Sequence, residues 1–270
     1  MKVCAVILAA GEGRRLRPLT TVRPKALCPV GNVPLLDRAL AAVAGAGFTG
    51  PESLAVNASW LAGQVVSHVD GRAHLSVEPD GPLGTAGGLG RLRDWIDGRA
   101  VLVGNADAYL TGGGPQQLLD GWDGQTVRLL GVPGQPAEFG SARFAGFSLL
   151  PWEWVANLRP EPSDLVREVW RPAERDLRLE VVPHDGGYLD TGTPALYLAA
   201  NLDAAGPASL VDPTDTIRDP DRIERSVIGA GAVVHGGLTR SVVWPGGYVG
   251  PDEHLVDTIR AGRDLTVPTR

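Results

Sequence analysis

The sequence predicts an α/β protein with a doubly wound, mostly parallel sheet and a small C-terminal β-helix. Three observations support this. Short apolar runs alternate with amphipathic segments, glycine-rich or polar turns follow the apolar runs, and aliphatic residues recur at regular spacing near the end. The chain has 270 residues, of which 43% are hydrophobic, so it is long enough for one large domain and a small second one.

The first part of the chain predicts strands and helices in alternation. Val3–Leu8 is a continuous apolar run, which is typical of a parallel strand buried on both faces. Further strands are expected at Ser53–Val56, Leu75–Val77 and Ala100–Val103, and helices at Leu35–Ala46, Trp60–Val69 and Thr85–Ile96. This order is typical of a Rossmann-like sheet.

The middle of the chain is less regular. Its pattern predicts strands at Val127–Val132, Phe144–Leu149 and Leu177–Val182, and helices at Glu153–Leu158, Asp164–Trp170 and Pro194–Ala204. The last helix has proline in its first turn, where the missing N–H group costs no hydrogen bond.

The C-terminal segment carries an aliphatic repeat. An aliphatic residue and its follower recur every six residues, with three extra residues between the second and third pairs. The pairs are Ile228-Gly229, Val234-His235, Val243-Trp244, Val249-Gly250 and Leu255-Val256. Hexapeptide repeats of this kind predict a left-handed β-helix, in which each aliphatic side chain points into a prism-shaped core. An irregular glycine-rich β segment is the alternative. The expected domains are residues 1–206 and 223–270, with a linker at 207–222.

Composition limits the classes of partner. The net charge of −6 argues against broad nucleic-acid binding. The N-terminal apolar run stops at Ala10, so it is too short to span a membrane, and we expect a cytoplasmic protein. Cys4 and Cys28, the only cysteines, are expected to be free thiols.

A glycine-rich turn follows the first strand and carries the strongest functional signal. It reads Leu8-Ala9-Ala10-Gly11-Glu12-Gly13-Arg14-Arg15-Leu16-Arg17-Pro18-Leu19-Thr20, followed by Arg23-Pro24-Lys25-Ala26-Leu27. Small residues let backbone N–H groups approach a base and phosphates, and Arg14, Arg15 and Lys25 supply positive charge for a triphosphate. Leu16 replaces the third glycine of a dinucleotide fingerprint, and the Gly-Lys-Ser/Thr of a Walker A loop is absent.

This stretch resembles the signature of the sugar nucleotidylyltransferase family, LxxGxGxRLxPLTxxxPKxL. The resemblance implies that Leu8, Ala9, Ala10 and Gly11 contact the base or ribose. It also implies that Gly13, Arg14 and Arg15 hold the β- and γ-phosphates. Lys25 would then neutralise charge near the reacting α-phosphate, with Arg15 as a second catalytic cation.

Two further segments complete the implied nucleotide site. Pro82-Leu83-Gly84-Thr85-Ala86-Gly87 begins a predicted helix, whose first N–H groups favour an anion or a base edge. In the family a similar segment borders the base, so Gly84, Thr85, Ala86 and the preceding Glu78 are expected there. Asn105-Ala106-Asp107 ends a buried strand, at the edge of a parallel sheet where ligands bind. The family usually has glycine at the position of Ala106.

The segment Tyr188-Leu189-Asp190-Thr191-Gly192-Thr193-Pro194 resembles the family's W-x-D-I-G-T-P motif. The resemblance implies that Asp190 and Asp107 together hold Mg²⁺, and that Asp190 and Thr191 lie near the sugar phosphate. Magnesium prefers one or two carboxylates together with phosphate oxygens.

One departure concerns the sugar phosphate. Many family members use the lysine of a Glu-Lys-Pro motif, but no lysine follows Lys25 here. Arg143 is the candidate replacement, and Gly146 resembles the glycine that backs the sugar ring; a solvated surface arginine is the alternative reading of Arg143.

The implied activity is Mg²⁺-dependent nucleotidyl transfer from a nucleoside triphosphate to a sugar 1-phosphate. The wording of the motifs is most similar to mannose-1-phosphate guanylyltransferases, which favours GTP. Uridylyl or other nucleotidyl transfer to an N-acetylated or other sugar phosphate is one alternative, and a regulatory, non-catalytic nucleotide-binding protein is another. The expected partners are these small molecules, with no nucleic acid or membrane, and a homo-oligomer is possible through the C-terminal module.

Overall fold

The structure is a computed structural model, and it describes residues 2–134 and 136–269. Its contacts divide the described chain into two compact units. The first unit contains the chain up to Glu12 together with Leu36–Tyr188, and the second contains Gly13–Leu35 together with the chain from Leu189 onward. These boundaries differ from the expected ones at 206 and 223, because Gly13–Leu35 and the residues following Leu189 make their contacts with the C-terminal module.

The secondary structure alternates through the first unit and becomes a series of short strands near the C-terminus. The strands are β1 (Val3–Leu8), β2 (Pro29–Val30), β3 (Val33–Pro34), β4 (Leu54–Ala58), β5 (His74–Val77), β6 (Ala100–Asn105), β7 (Ala108–Leu110), β8 (Val127–Pro133), β9 (Ala142–Leu150), β10 (Leu179–Pro183), β11 (Tyr188–Asp190), β12 (Leu210–Val211), β13 (Thr216–Ile217), β14 (Ile223–Glu224), β15 (Val227–Ile228), β16 (Val233–Val234), β17 (Gly237–Thr239), β18 (Val242–Val243), β19 (Tyr248–Val249), β20 (His254–Val256), β21 (Thr258–Ala261) and β22 (Leu265–Pro268). The α-helices are α1 (Leu35–Gly45), α2 (Ala62–Val69), α3 (Gly84–Arg91), α4 (Arg93–Ile96), α5 (Trp152–Val155), α6 (Arg171–Arg175) and α7 (Pro194–Ala205). None of the described helices combines the length and apolarity needed to cross a membrane.

The first unit is built on one seven-stranded sheet. Its strand order is β10-β8-β9-β6-β1-β4-β5. The strands from β6 to β5 run parallel, as do β8 and β10, whereas β9 runs antiparallel to both β6 and β8. The predicted α/β fold with a mostly parallel sheet is therefore confirmed. Strand β1 lies at the centre, and its residues Cys4–Ile7 are fully buried, which explains the unbroken apolar run.

Two predicted helices differ from the observed ones. The expected helix Thr85–Ile96 is divided at Leu92 into α3 and α4, and the expected helix Asp164–Trp170 is a π-helical turn at Val166–Trp170 that continues into α6. At Leu92, where α3 and α4 meet, ψ is 0° rather than the value of a regular helix, and the glycine-rich α3 before it has a low intrinsic helix stability.

The second unit begins with a tight hairpin. Strands β2 and β3 pair antiparallel through Val30 and Val33. The two turn residues, Gly31 and Asn32, have φ values of 56° and 64°, which is the backbone conformation that a two-residue hairpin requires. Helix α7 begins after Thr193, whose hydroxyl accepts a hydrogen bond from Leu196 N at 3.3 Å.

The remainder of the second unit is the predicted β-helix. Its strands form three parallel faces, β12-β15-β18-β21, β13-β16-β19 and β14-β17-β20, and β22 adds antiparallel to β21. The residues buried in its core include all five of the predicted inward aliphatic residues, namely Ile228, Val234, Val243, Val249 and Leu255. Leu238 also enters the core, and it lies in the interval where the sequence has three extra residues.

The β-helix also starts earlier than expected. Residues 207–222 were expected to form a linker, yet they contain β12 and β13, which pair with β15 and β16. Two-residue strands carry too little apolar periodicity to be recognised from the sequence alone.

Candidate active site

A buried hydrogen-bond network joins two of the predicted nucleotide-binding segments in the first unit. The side chain of Asn57, at the end of β4, accepts a hydrogen bond from Ala9 N at 2.6 Å and donates one to Glu78 Oε1 at 2.7 Å. Glu78 Oε2 accepts a hydrogen bond from Leu83 N at 2.8 Å. The turn after β1 and the turn before α3 are therefore held together at the carboxyl edge of the sheet, where ligands bind in such folds.

Glu78 lies at the centre of this network. Its side chain is 2% exposed, and both carboxylate oxygens already accept hydrogen bonds within the network. Burial raises the pKa of Glu78 above its usual value, and the hydrogen bonds from Leu83 and Asn57 oppose that shift. Glu78 therefore links the two loops, and its expected contact with the base stays a prediction.

The start of helix α3 is occupied by a neighbouring segment of the same unit. Ala86 N donates to Ser163 O at 3.2 Å, and Leu165 N donates to the hydroxyl of Thr85 at 2.8 Å. A Cβ atom on Gly84 would lie 2.3 Å from Ser163 O, and one on Gly87 would lie 2.2 Å from the carbonyl oxygen of Glu161. The glycines of the PLGTAGG segment thus permit close backbone packing, and the N–H group of Ala86 is engaged rather than open to an anion.

A pocket of about 440 Å³ lies in the first unit next to Thr85 and Asn105. Its wall is mainly apolar and aromatic, with polar groups at intervals, and it is lined by Thr85, Val103, Asn105, Glu138, Phe139, Phe144, Ser148, Asp164, Leu165, Val166, Trp170 and Arg171. Within the described chain, Ser148 Oγ and Trp170 Nε1 are buried without a hydrogen-bond partner. A pocket of this size with a few unsatisfied polar groups is suited to a small polar molecule that has an apolar part.

The carboxyl end of β6 carries the predicted pair Asn105 and Asp107. Asn105 is the last residue of β6, and Asp107 is half-buried in the turn that leads into β7. Ala106 N donates to Leu8 O at 3.0 Å, which connects this turn to the end of β1. Gly146 has a φ of 83°, and a Cβ atom on it would lie 2.4 Å from Ala108 Cβ. Glycine is therefore required at this position for β9 to pass the residue that follows Asp107.

The cationic part of the signature lies in the second unit. Gly13 has a φ of 61°, and a Cβ atom on it would lie 2.9 Å from Thr20 Cγ2 and 3.0 Å from Lys25 Cβ. The hydroxyl of Thr20 donates to Gly13 O at 2.9 Å, so the loop folds back on itself. Lys25 is only 8% exposed, which is unusual for a lysine and fits a group held for a specific role. Arg14 is exposed.

The second unit also brings two predicted residues together across a long sequence separation. Arg15 Nη1 lies 4.0 Å from Asp190 Oδ2, and the Arg15 side chain is 71% exposed. A Cβ atom on Gly192 would lie 2.7 Å from Arg15 Nη2 and 2.8 Å from Asp190 Oδ1. Thr191, between Asp190 and Gly192 in the sequence, is fully buried. Arg15 and Asp190 therefore lie side by side next to Gly192, and a side chain at residue 192 would displace the ends of both.

Arg143, expected near the sugar phosphate, lies in β9 opposite Val132. Its Cδ would be 2.7 Å from a Cβ atom on Gly134. It does not line the 440 Å³ pocket, whereas Arg171 does. Arg171 donates to Glu138 O at 2.9 Å, and its guanidinium lies 4.3 Å from the centre of the Phe139 ring.

Sequence reasoning missed several residues of the first unit. Asn57 was detectable in principle, because it is a polar residue directly after the apolar run of β4, at the same sheet edge as Asn105. Ser148, Trp170 and Arg171 gave no such signal, since a serine within a strand and an aromatic residue in a helix usually belong to the ordinary packing of a core.

The sequence from residue 4 to residue 131 matches a family model described as nucleotidyl transferase. Over these residues the chain is similar to members of the nucleotidyl transferase family. Among its curated relatives, an N-acetylmuramate alpha-1-phosphate uridylyltransferase from Neisseria meningitidis serogroup B is 40% identical over 109 residues, or 38% of this chain and 46% of the relative. A mannose-1-phosphate guanyltransferase from Schizosaccharomyces pombe is 29% identical over 227 residues, or 72% of this chain and 62% of the relative. These relatives are transferases.

The matches cover less than two thirds of the length of either relative. A solved structure from Bacillus anthracis, assigned as a glucose-1-phosphate thymidylyltransferase in complex with sucrose, has a TM-score of 0.64 at 19% identity. It covers 75% of this chain and 95% of the solved chain, and it supports the nucleotidyl transferase fold.

The described residues fit a magnesium ion only together with substrate. No group of three or more metal-binding side chains occurs among the residues that the structure describes. Magnesium, however, is commonly bound through one or two carboxylates plus the phosphates of a substrate. The motif resemblance suggests Asp107 and Asp190 for these carboxylates.

Proposed function

We propose that this chain transfers a nucleotidyl group from a nucleoside triphosphate to a sugar 1-phosphate. The observation that supports this best is the network from Ala9 through Asn57 and Glu78 to Leu83, which fixes two signature segments of a nucleotidyl transferase in one place. Buried Lys25 and the Arg15–Asp190 pair add the charges that such a reaction requires. Matching of the family model to residues 4–131 agrees with it.

In the proposed reaction, a phosphate oxygen of the sugar 1-phosphate attacks the α-phosphorus of the triphosphate. The bond between the α-phosphorus and the bridging oxygen breaks, and pyrophosphate leaves with that oxygen. No proton transfer or covalent intermediate is required, so the chain contributes mainly position and charge. The backbone of Leu8–Gly11 positions the base and ribose, and the Gly13–Arg15 turn holds the terminal phosphates. Lys25 neutralises charge that develops at the α-phosphate.

A bound Mg²⁺ would supply charge neutralisation to the phosphates. We assign its ligands to Asp107 and Asp190 on the motif resemblance. On the same resemblance, Gly146 and Thr191 are the proposed contacts of the sugar phosphate, and Arg143 is a candidate for binding its phosphate group. The pocket suggests Arg171 as a competing candidate, because its guanidinium lines the cavity.

The identity of the substrates is the finer part of the proposal. The motif wording and the β-helix favour guanylyl transfer to a mannose-type phosphate, and the Schizosaccharomyces pombe relative matches along 72% of the chain. Gly84 and Gly87 of PLGTAGG pack against the segment from Glu161 to Ser163, so they carry little information about the base.

A second candidate is uridylyl transfer to an N-acylated sugar phosphate, and a specific observation favours it. The 440 Å³ pocket presents aromatic walls together with the unpartnered donors Ser148 Oγ and Trp170 Nε1. An acetyl group has a methyl group that can pack on the aromatic side chains and a carbonyl oxygen that can accept hydrogen bonds from these donors. The 40% identical Neisseria relative is named for an N-acetylated sugar phosphate.

A matrix of the four common nucleoside triphosphates against several sugar 1-phosphates distinguishes these candidates. The sugars should include mannose, glucose, N-acetylglucosamine and N-acetylmuramate 1-phosphates, with released pyrophosphate as the readout. Turnover with GTP and mannose 1-phosphate supports the first candidate, and turnover with UTP and an N-acetylated sugar supports the second. Tight binding of a nucleotide without pyrophosphate release from any pair would instead indicate a regulatory protein.

A further inference from the structure

The hairpin that follows Lys25 is anchored to the β-helix through helix α7, entirely within the second unit. The hydroxyl of Tyr197 in α7 donates to Pro29 O in β2. Trp244, which follows β18, donates its indole N–H to the same hydroxyl at 3.0 Å. The two rings pack edge to face, with centroids 6.5 Å apart. Tyr197 is fully buried and Trp244 is 3% exposed, so both hydrogen bonds are protected from water.

Two further contacts hold the same hairpin. Asn201, one turn after Tyr197, accepts a hydrogen bond from Gly31 N at 3.0 Å. Asn32 donates to Ile228 O, a residue of strand β15, at 2.8 Å. The turn of the hairpin is thus fixed at one point to α7 and at another to the β-helix itself.

Trp244 also contacts the signature directly. The guanidinium of Arg23 lies 4.8 Å from the centre of the Trp244 ring, in cation–π geometry. Arg23 lies two residues before Lys25, and the hairpin begins at Pro29 four residues after it. The short turn Lys25–Leu27 is therefore restrained on both sides by groups that contact Trp244 or Tyr197.

We propose that the β-helix positions Lys25 for catalysis, and that Trp244, acting through Tyr197 and Arg23, is the residue through which it does so. This inference rests on the proposed function, because it assumes that Lys25 acts on the reacting phosphate. Trp244 is a positioning residue: it contacts Arg23 before Lys25, it contacts Tyr197, which holds Pro29 after Lys25, and it is not placed among the groups that bind substrate.

A double-mutant cycle tests the inference. Trp244→Phe keeps an aromatic ring but removes the indole hydrogen bond, and we expect kcat to fall roughly three- to tenfold, the equivalent of one lost hydrogen bond. KM for the triphosphate should change less than twofold, because Lys25 acts in the transition state. In a Lys25→Ala background the same substitution should cause less than a twofold further loss of kcat, because the effect passes through the ammonium group.

Trp122→Phe is the matched control. The Trp122 indole donates to Thr126 O at 2.7 Å in the first unit, so this variant loses a similar hydrogen bond elsewhere. It should leave kcat unchanged. Arg23→Gln removes the second contact of Trp244 and should lower kcat in the same non-additive way, which keeps the test usable if Trp244→Phe folds poorly.

Hydrogen exchange supplies a readout that does not need activity. In Trp244→Phe, the amide of Gly31 should exchange on the order of tenfold faster, because its hairpin is less restrained, while Trp122→Phe should not alter it. Additive loss of kcat in the Lys25→Ala background, or unchanged exchange at Gly31, would overturn the inference. If the wild-type chain shows no turnover with any substrate pair, the proposed function fails, and the exchange measurement alone decides whether Trp244 holds the hairpin.

Discussion

Arg15 Nη1 lies 4.0 Å from Asp190 Oδ2, although the two residues belong to motifs that are far apart in the sequence. The pair is exposed, so its contribution to folding is small. A Cβ atom on the neighbouring Gly192 would lie within 3 Å of both groups, so a side chain there would displace them. We interpret the pair as a site in which the carboxylate is assigned to the metal and the guanidinium to phosphate oxygens.

Asp190→Asn should separate activity from stability. Pyrophosphate release should fall by on the order of 10²–10³, because the variant loses a charge that the transition state requires. The free energy of unfolding should change by less than about 1 kcal/mol, because the ion pair is exposed to solvent. Urea unfolding and steady-state turnover measure the two effects. Asp37→Asn is the control, since Asp37 forms a comparable 2.9 Å ion pair with Arg72 outside the site, and its turnover should equal that of the wild type.

Gly192→Ala should impair the same site through geometry. A methyl group there would approach Arg15 Nη2 to 2.7 Å and Asp190 Oδ1 to 2.8 Å, so both side chains must move. We expect kcat/KM to fall about tenfold or more, because small displacements of catalytic groups are costly. Gly63→Ala is the matched control: it lies in helix α2 with nothing within 4 Å of its added methyl group, and it should keep full activity. Equal activity of the two variants would contradict the assignment.

Glu78→Gln tests the buried network that joins the two loops. An amide has only one acceptor, so one of the donors, Asn57 Nδ2 or Leu83 N, would face an N–H group. The variant should lose about 1–3 kcal/mol of unfolding free energy at neutral pH. It should also bind nucleotide more weakly, because Ala9 and Leu83 are no longer fixed.

The difference in unfolding free energy between the wild type and Glu78→Gln should depend on pH. Burial raises the folded-state pKa of Glu78 above the unfolded value of 4.5, so the folded state binds the proton more tightly. The titration of Glu78 therefore favours folding below pH 4.5, and this contribution is lost as the pH rises through the folded pKa. Wild-type minus Glu78→Gln unfolding free energy should accordingly decrease across that interval. An increase with pH would show that the carboxyl has a lowered pKa.

Ser148→Ala tests whether the pocket holds substrate. The hydroxyl of Ser148 is buried without a partner among the described residues, so its removal should leave the unfolding free energy unchanged or raise it by up to about 1 kcal/mol. KM for an N-acylated sugar phosphate should rise, whereas KM for the triphosphate should not. Ser241→Ala is the control for stability, because its buried hydroxyl donates to Leu255 O at 3.1 Å and its loss should destabilise by about 1 kcal/mol. Unchanged KM values in Ser148→Ala would exclude the pocket from sugar binding.

Much of the fold follows from local sequence patterns. The apolar run of β1 and the aliphatic grid from Ile228 to Leu255 predicted buried positions that the structure confirms, because both patterns are local consequences of burial. The antiparallel direction of β9 and the early start of the β-helix at Leu210 were not predictable in this way. Strand direction and two-residue strands depend on distant partners, which a single sequence does not reveal.

In the candidate site, too, the sequence indicated individual residues but not the contacts between them. Motif resemblance named Arg15 and Asp190 separately, and the fold pairs them. It also named Glu78, but not that Asn57 would occupy one of its oxygens, because that hydrogen bond joins residues from different strands. Ser148 and Trp170 were missed because an unsatisfied polar group can be identified only when its surroundings are known.

The most direct test of the proposed activity compares the only two lysines of the chain. Lys2 is exposed and lies outside the signature, whereas Lys25 is 8% exposed within it. Pyrophosphate release with the preferred substrate pair should fall by on the order of 10²–10³ in Lys25→Ala and stay at the wild-type rate in Lys2→Ala. Full turnover in Lys25→Ala would contradict the proposed mechanism at its centre.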